Sequence, residues 1–106
     1  MSEDLIRLSA TQAVARLRRG EITPLDLLDA VEKRIAAVEA PVNALPTLCF
    51  DRARDHAKQL MAGQRREAAD EAGWLAGLPV AIKDLTDVAG VRTTYGSPIF
   101  ANHVPA

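Results

Sequence analysis

The chain has 106 residues, 48% of them apolar, and carries 13 Lys+Arg against 14 Asp+Glu for a formal net charge of −1. That length fits one small domain burying roughly 65% of its unfolded surface, but alanine supplies much of the apolar share and only one Trp, one Tyr and two Phe are present, so any core is thin. The mixed charges argue against a nucleic-acid or anionic-membrane surface, and no apolar run approaches the length of a bilayer span.

The N-terminal MSEDLIRLSA lacks the basic, apolar and small-residue zones of a signal peptide. One cysteine rules out an internal disulfide and fits a cytoplasmic location. No internal repeat is visible.

Ser9 and Gln12 have the spacing of a capping box, and Ala10, Ala13, Val14 and Leu17 follow on one helical face. Gly20 is placed to end that helix. Thr23-Pro24 opens a second helix, with threonine as cap, proline at the first helical position and Asp26 in the first turn. Leu28, Val31, Ile35 and Val38 make its apolar stripe, Asp29, Glu32, Lys33 and Arg34 its solvated face, and Pro41 is expected to stop it.

Asn43–Phe50 reads as a short strand, pushed toward a sheet edge by Pro46. Asp51 is expected to cap a third helix with Ala53, Ala57, Leu60 and Met61 on one face, ended by Gly63. Gln64–Gly73 reads as a charged loop, the segment expected to be most mobile. Leu78–Lys83 is a second strand, Asp87–Thr94 a turn into another extended piece, and Pro98–Ala106 a tail without a clear element. The organisation is thus a helical region, 1–42, followed by a strand–helix–strand region, 43–106. That order implies an α/β fold with a parallel pair joined by a right-handed crossover. Parallel strands need cover on both faces, which three helices can hardly supply.

The chemistry-bearing candidate is Lys83, at the mouth of the apolar strand Leu78-Pro79-Val80-Ala81-Ile82. A lysine held there is partly desolvated, which disfavours the ammonium, and a neutral lysine can serve as a general base. By residue chemistry alone, a solvated strand terminus beside an aspartate is the better account of it. Asp84 can pair with a backbone amide or a nearby cation. Cys49 and His56 suggest a nucleophile pair, but a cysteine inside an apolar strand is better read as buried and structural. His56 and His103 have no metal-ligand spacing. Gly73, Gly77 and Gly90 make neither a phosphate loop nor a Rossmann fingerprint. Trp74 and Tyr95 flank the lysine strand, with packing as their default role.

Gly77-Leu78-Pro79-Val80-Ala81-Ile82-Lys83-Asp84, then Asp87-Val88-Ala89-Gly90, Thr93-Thr94 and Gly96-Ser97, closely resembles the amidase signature family. Gly20–Pro24 and Asn43-Ala44 extend the resemblance over most of the chain. It implies a fold of helices on a mixed, mainly parallel sheet, of which residues 1–106 are the N-terminal part of a single amidase domain. It also implies a Ser–Ser–Lys triad in which Lys83 matches the lysine. The family's two triad serines lie in a Gly/Ser-rich region after the lysine element. Ser2, Ser9 and Ser97 match neither, Ser97 falling on the Thr-Thr-x-Gly-Ser turn.

The chain is therefore expected to hold one catalytic residue of three and to be inactive alone. The implied activity is cleavage of a carboxamide C–N bond, with a small-molecule amide as substrate and the remainder of an amidase chain as partner. No metal, organic cofactor, nucleic acid or membrane is implied, and a homodimer is left open. One alternative within the family is the amidotransferase component that amidates glutamyl-tRNA, although Lys83-Asp84-Leu85 departs from the Lys-Asp-Asn common there. A truncated, non-catalytic packing module is the alternative outside it.

Overall fold

A computed structural model describes residues 2–63 and 72–106. Among the described residues four α-helices run in chain order: α1 Ser2–Ile6, α2 Ala10–Arg18, α3 Pro24–Val42 and α4 Phe50–Met61, followed by a 3₁₀ turn at Pro98–Phe100. Residues 64–71 of the expected charged loop lie outside the described residues.

Local hydrogen bonds set the helix boundaries. Ser9 Oγ accepts from the Gln12 amide at 3.1 Å while Gln12 Oε1 accepts from the Ser9 amide at 2.9 Å, completing the expected capping box. Asp26 and Thr23 form the same reciprocal pair, at 2.9 and 3.1 Å, ahead of Pro24. At the end of α2, Gly20 takes φ +73°. The Gly20 amide donates to the Leu17 carbonyl at 3.1 Å and the Glu21 amide to the Arg16 carbonyl at 3.0 Å, the two bonds of a Schellman stop.

Two helix ends differ from expectation. Pro41 does not stop α3, which runs to Val42 with the proline in its last turn. The chain turns away at Asn43, whose left-handed backbone (φ 50°, ψ 50°) sends its amide to the Glu39 carbonyl at 2.6 Å. The Glu39 carboxylate then accepts the amides of Ala44 and Leu45 at 3.0 and 2.6 Å, satisfying donors just past the helix. Asp51 is not the cap of α4. Cys49 occupies that position without a side-chain cap bond, and Asp51 sits in the first turn, where its charge faces the helix dipole.

The core lies among α1, α2, α3 and the segment 74–78. Leu5, Leu17, Ile22 and Leu27 interlock with Ala13, Ala30 and Ala76. The alanines let the backbones approach closely. Helix α1, which the sequence reading passed over, contributes Leu5 at 5% exposure. Trp74 packs on the rim under Arg18, whose guanidinium stands 5.7 Å from the ring centroid and donates to the Trp74 carbonyl at 3.0 Å. On the other side of α3, Arg54 of α4 reaches Asp29 at 2.6 Å and Glu32 at 3.1 Å. These exposed pairs orient α4 more than they stabilise it.

The segments read as strands, 43–50 and 78–83, form no ladder among the described residues, where the single β-type pairing is an isolated antiparallel bridge between Val88 and Val91. Val80 is 63% exposed and Ile82 57%. Their side chains have no covering layer here, and a strand without paired neighbours gains nothing from the extended register.

Among the described glycines Gly77 has the least room for a side chain. It follows Ala76 in a turn with both residues at positive φ, closed by the Leu78 amide donating to the Leu75 carbonyl at 3.0 Å. A Cβ on Gly77 would lie 2.4 Å from Pro24 Cγ, against the rigid ring that opens α3. Gly77→Ala is expected to destabilise the chain by about 2–4 kcal/mol, combining a positive-φ penalty with overpacking. Urea unfolding followed at Trp74 fluorescence checks this; a midpoint unchanged from wild type would refute the contact.

Candidate active site

Lys83 sits on the wall of an open groove of about 930 Å³. One wall is α3, through Leu28, Val31 and Ile35. Leu28, Val31 and Ile35 of the expected apolar stripe thus face the groove, while Leu27 and Ala30, outside that stripe, face the core. The second wall is the stretch from Ala44 to Phe50, and the third is Pro79–Asp84. Leu48, Val80 and Ile82 line it while more than half exposed. Lys83 itself is exposed, not the partly desolvated strand-end lysine the sequence suggests, because the groove is open above it.

Cys49 is also exposed, on the second wall of the groove, which corrects its reading as a buried structural residue. It starts a helix instead of sitting inside a strand. His56 lies exposed on α4, and among the described residues no group of three or more His, Cys, Asp or Glu is placed to hold a metal ion. Ser97 is engaged as a cap, its Oγ accepting from the Ile99 amide at 3.2 Å.

Immediately after Lys83 the chain is held by hydrogen bonds instead of by regular structure. The Lys83 carbonyl accepts from the Thr86 amide at 2.9 Å, and the Asp84 carbonyl accepts from the Tyr95 amide at 3.0 Å. The Asp84 carboxylate takes the Thr94 amide on Oδ1 at 2.8 Å and the Thr94 hydroxyl on Oδ2. Thr93 and Thr94 are 2% and 7% exposed, the buried polar residues of the described chain. The Thr93 amide donates to the His103 carbonyl at 2.9 Å and the Gly90 amide to the Pro105 carbonyl at 3.0 Å, laying the tail along the loop.

Two arginines fasten this unit to the rest. Arg92 donates to the Ala101 carbonyl, to the Pro46 carbonyl at 3.3 Å and to Thr47 Oγ1 at 3.1 Å, while Arg52 of α4 donates to the Ala89 carbonyl. Tyr95 gives its hydroxyl hydrogen to Asp87 and packs edge-on against Phe100, centroids 5.1 Å apart, with His103 beside both rings. Sequence reasoning flagged Asp84 and Tyr95, quoted Asp87, Thr93 and Thr94 only as motif residues without a structural role, and passed over Arg92. Two adjacent threonines nine and ten residues after an aspartate were the available signal.

The Thr94 hydroxyl first, then the Thr94 amide, hold the Asp84 carboxyl below its ordinary range. A depressed folded-state pKa stabilises the loop above the unfolded-state value near 3.9 and loses that contribution as pH falls through the lower folded value. The Thr94 amide proton resonance is therefore expected to stay constant from neutral pH to about pH 5 and to move only in stronger acid. Asp84→Asn should abolish the step; a step persisting in that variant would assign it elsewhere.

A profile of the Amidase family matches residues 26–106, which include both groove segments, Lys83 and the Asp84–Thr94 unit. Relatives named as the A subunit of glutamyl-tRNA(Gln) amidotransferase match nearly the whole chain. Those of Roseiflexus sp. (strain RS-1) and Roseiflexus castenholzii are 43% and 44% identical over 101 residues, covering 95% of this chain and 20% of theirs. That of Streptomyces coelicolor is 35% identical over 102 residues, 96% of this chain and 20% of its own. The chain thus spans about a fifth of the length of the curated relatives it matches. No solved structure matches. With its sequence matching the family profile from α3 to the last residue, the chain belongs to the Amidase family.

Proposed function

We propose that this chain supplies the base of an amidase-type hydrolase that cleaves a carboxamide C–N bond by a Ser–Ser–Lys mechanism. The observation that supports it is Lys83 at the end of an apolar groove wall, within a segment that belongs to the Amidase family. In this reading neutral Lys83 draws a proton through a bridging serine, which activates a nucleophilic serine. That serine attacks the amide carbon, and backbone N–H groups of a Gly/Ser-rich loop hold the oxyanion. The proton is returned to the departing nitrogen, and the same relay activates the water that hydrolyses the acyl-enzyme. Both serines belong to further parts of the domain, of which residues 1–106 are the N-terminal portion. Segments 43–50 and 78–83 become strands of its mixed sheet once neighbouring strands flank them. The setting is cytoplasmic, and the mechanism calls on no cofactor.

The names of the relatives favour a second reading, in which the chain is part of the A subunit of a glutamyl-tRNA(Gln) amidotransferase. Leu85 after Lys83-Asp84, where asparagine is common in that amidotransferase, favours the free-standing amidase. The two separate by substrate. Hydrolysis of simple primary carboxamides by the purified full-length protein alone supports the amidase, and glutamine consumption that requires glutamyl-tRNA supports the amidotransferase.

In the full-length protein, Lys83→Ala is expected to lower kcat by about 10²–10⁴ or more while leaving the fold intact, since the side chain is exposed. Near-normal kcat in a folded variant would remove Lys83 from the mechanism. Residues 1–106 alone are expected to turn over no carboxamide, because a base without nucleophile or oxyanion donors has nothing to activate. Amide hydrolysis by the purified 106-residue chain would overturn the assignment of the missing groups.

A further inference from the structure

The Asp84 carboxylate lies next in sequence to the lysine, yet both its oxygens are engaged by Thr94. Thr94 is itself buried, and its neighbour Thr93 is pinned to the tail and, through its hydroxyl, to the Val91 carbonyl at 3.1 Å. The main-chain carbonyls of Lys83 and Asp84 are both bonded as well, to the amides of Thr86 and Tyr95. The backbone that presents Lys83 to the groove is thereby fixed at successive peptide units. Lysine has a long stem with four rotatable carbons, so the backbone sets the volume its amine can search.

A free carboxylate beside a lysine amine would pair with it and hold the amine as ammonium, unfit to accept a proton. We propose that the Asp84–Thr94 latch is a positioning device for Lys83, fixing the backbone that carries the lysine and withholding the adjacent carboxylate from its amine. This rests on the reading of Lys83 as the base. The other titratable or charged groups nearby have their own placements. Arg92 and Cys49 line the groove, Arg52 of α4 is bound to the Ala89 carbonyl, Asp87 takes the Tyr95 hydroxyl, and His103 packs against the Tyr95 and Phe100 rings. Asp84 is the carboxylate that release of the latch would set free beside Lys83.

Competitive acetylation of Lys83 by acetic anhydride, followed across pH by mass spectrometry of its peptide in the full-length protein, reads the amine without any substrate. Thr94→Val, which deletes the hydroxyl donor, is expected to move the labelling curve about one pH unit alkaline, a roughly tenfold loss of labelling on its rising limb. Thr94→Ser keeps the donor and should superimpose on wild type. Adding Asp84→Asn to Thr94→Val should restore labelling, because the carboxylate is gone. Asp84→Asn alone should change labelling by less than about threefold, as a charge not in contact with the amine would.

A Thr94→Val curve identical to wild type, or a double variant that fails to recover, overturns the proposal. So does a tenfold gain from Asp84→Asn alone, which would mean that Asp84 already pairs with Lys83. Should Thr94→Val not fold by circular dichroism, Asp84→Asn decides by itself on the same criterion. Full activity in Lys83→Ala would sink the base reading and leave the labelling result standing, so the two failures are distinguishable.

Discussion

Asp84 joined to Thr94 holds together a stretch of chain that has almost no regular structure to hold it. From Lys83 to Pro105 the described residues contain one isolated bridge and one 3₁₀ turn. Backbone donors and acceptors there must still be satisfied, because an unpaired buried polar group costs about as much as a lost hydrogen bond. Asp84 answers this with a charged acceptor facing two donors, the stronger kind of hydrogen bond. Arg92 and Arg52 do the reverse, aiming guanidinium donors at carbonyls of the tail, the 46–47 segment and the loop. Side chains here take the place of the sheet ladder that would ordinarily organise such a segment.

The opposite half of the chain is organised by burial, and α3 joins the two. Its Leu27–Ala30 side closes the core against α1 and α2, while its Leu28–Val31–Ile35 side forms a wall of the groove. A helix that presents apolar residues on two sides belongs between two layers. Only one layer is present here as packed core. The other is an apolar surface made of α3, the 44–50 stretch and the lysine segment, and in the proposed enzyme this is where the remaining domain is seated.

Features decided within four or five residues were legible in the sequence. The Ser9 box, the Thr23-Pro24 start, the Gly20 stop and the Gly63 stop each depend on one cap residue and its immediate neighbours. Pro41 and Asp51 misled because Glu39 and Asn43 supply a better ending to α3 than the proline, and because Cys49 already carries the backbone conformation that starts α4. The strands were the least legible. Apolar, β-prone residues at 78–82 mark a segment suited to a sheet, but pairing is a property of two segments, and no pattern within one of them states whether its partner is present. For the same reason Lys83 could be matched to its motif while its exposure could not be read.

In the proposed enzyme the exposure of Lys83 also divides the work of making a base. Catalytic groups need placement to within about 0.5 Å, which a four-carbon stem does not achieve from a fixed backbone alone. The latch supplies the backbone and withholds the carboxylate adjacent in sequence. Restriction of the stem and removal of water from the amine must come from whatever closes over Leu48, Val80 and Ile82, side chains already apolar and already at the groove surface. In the proposed enzyme the same closure that completes the sheet therefore desolvates the lysine, so that folding of the whole domain and activation of its base are one event.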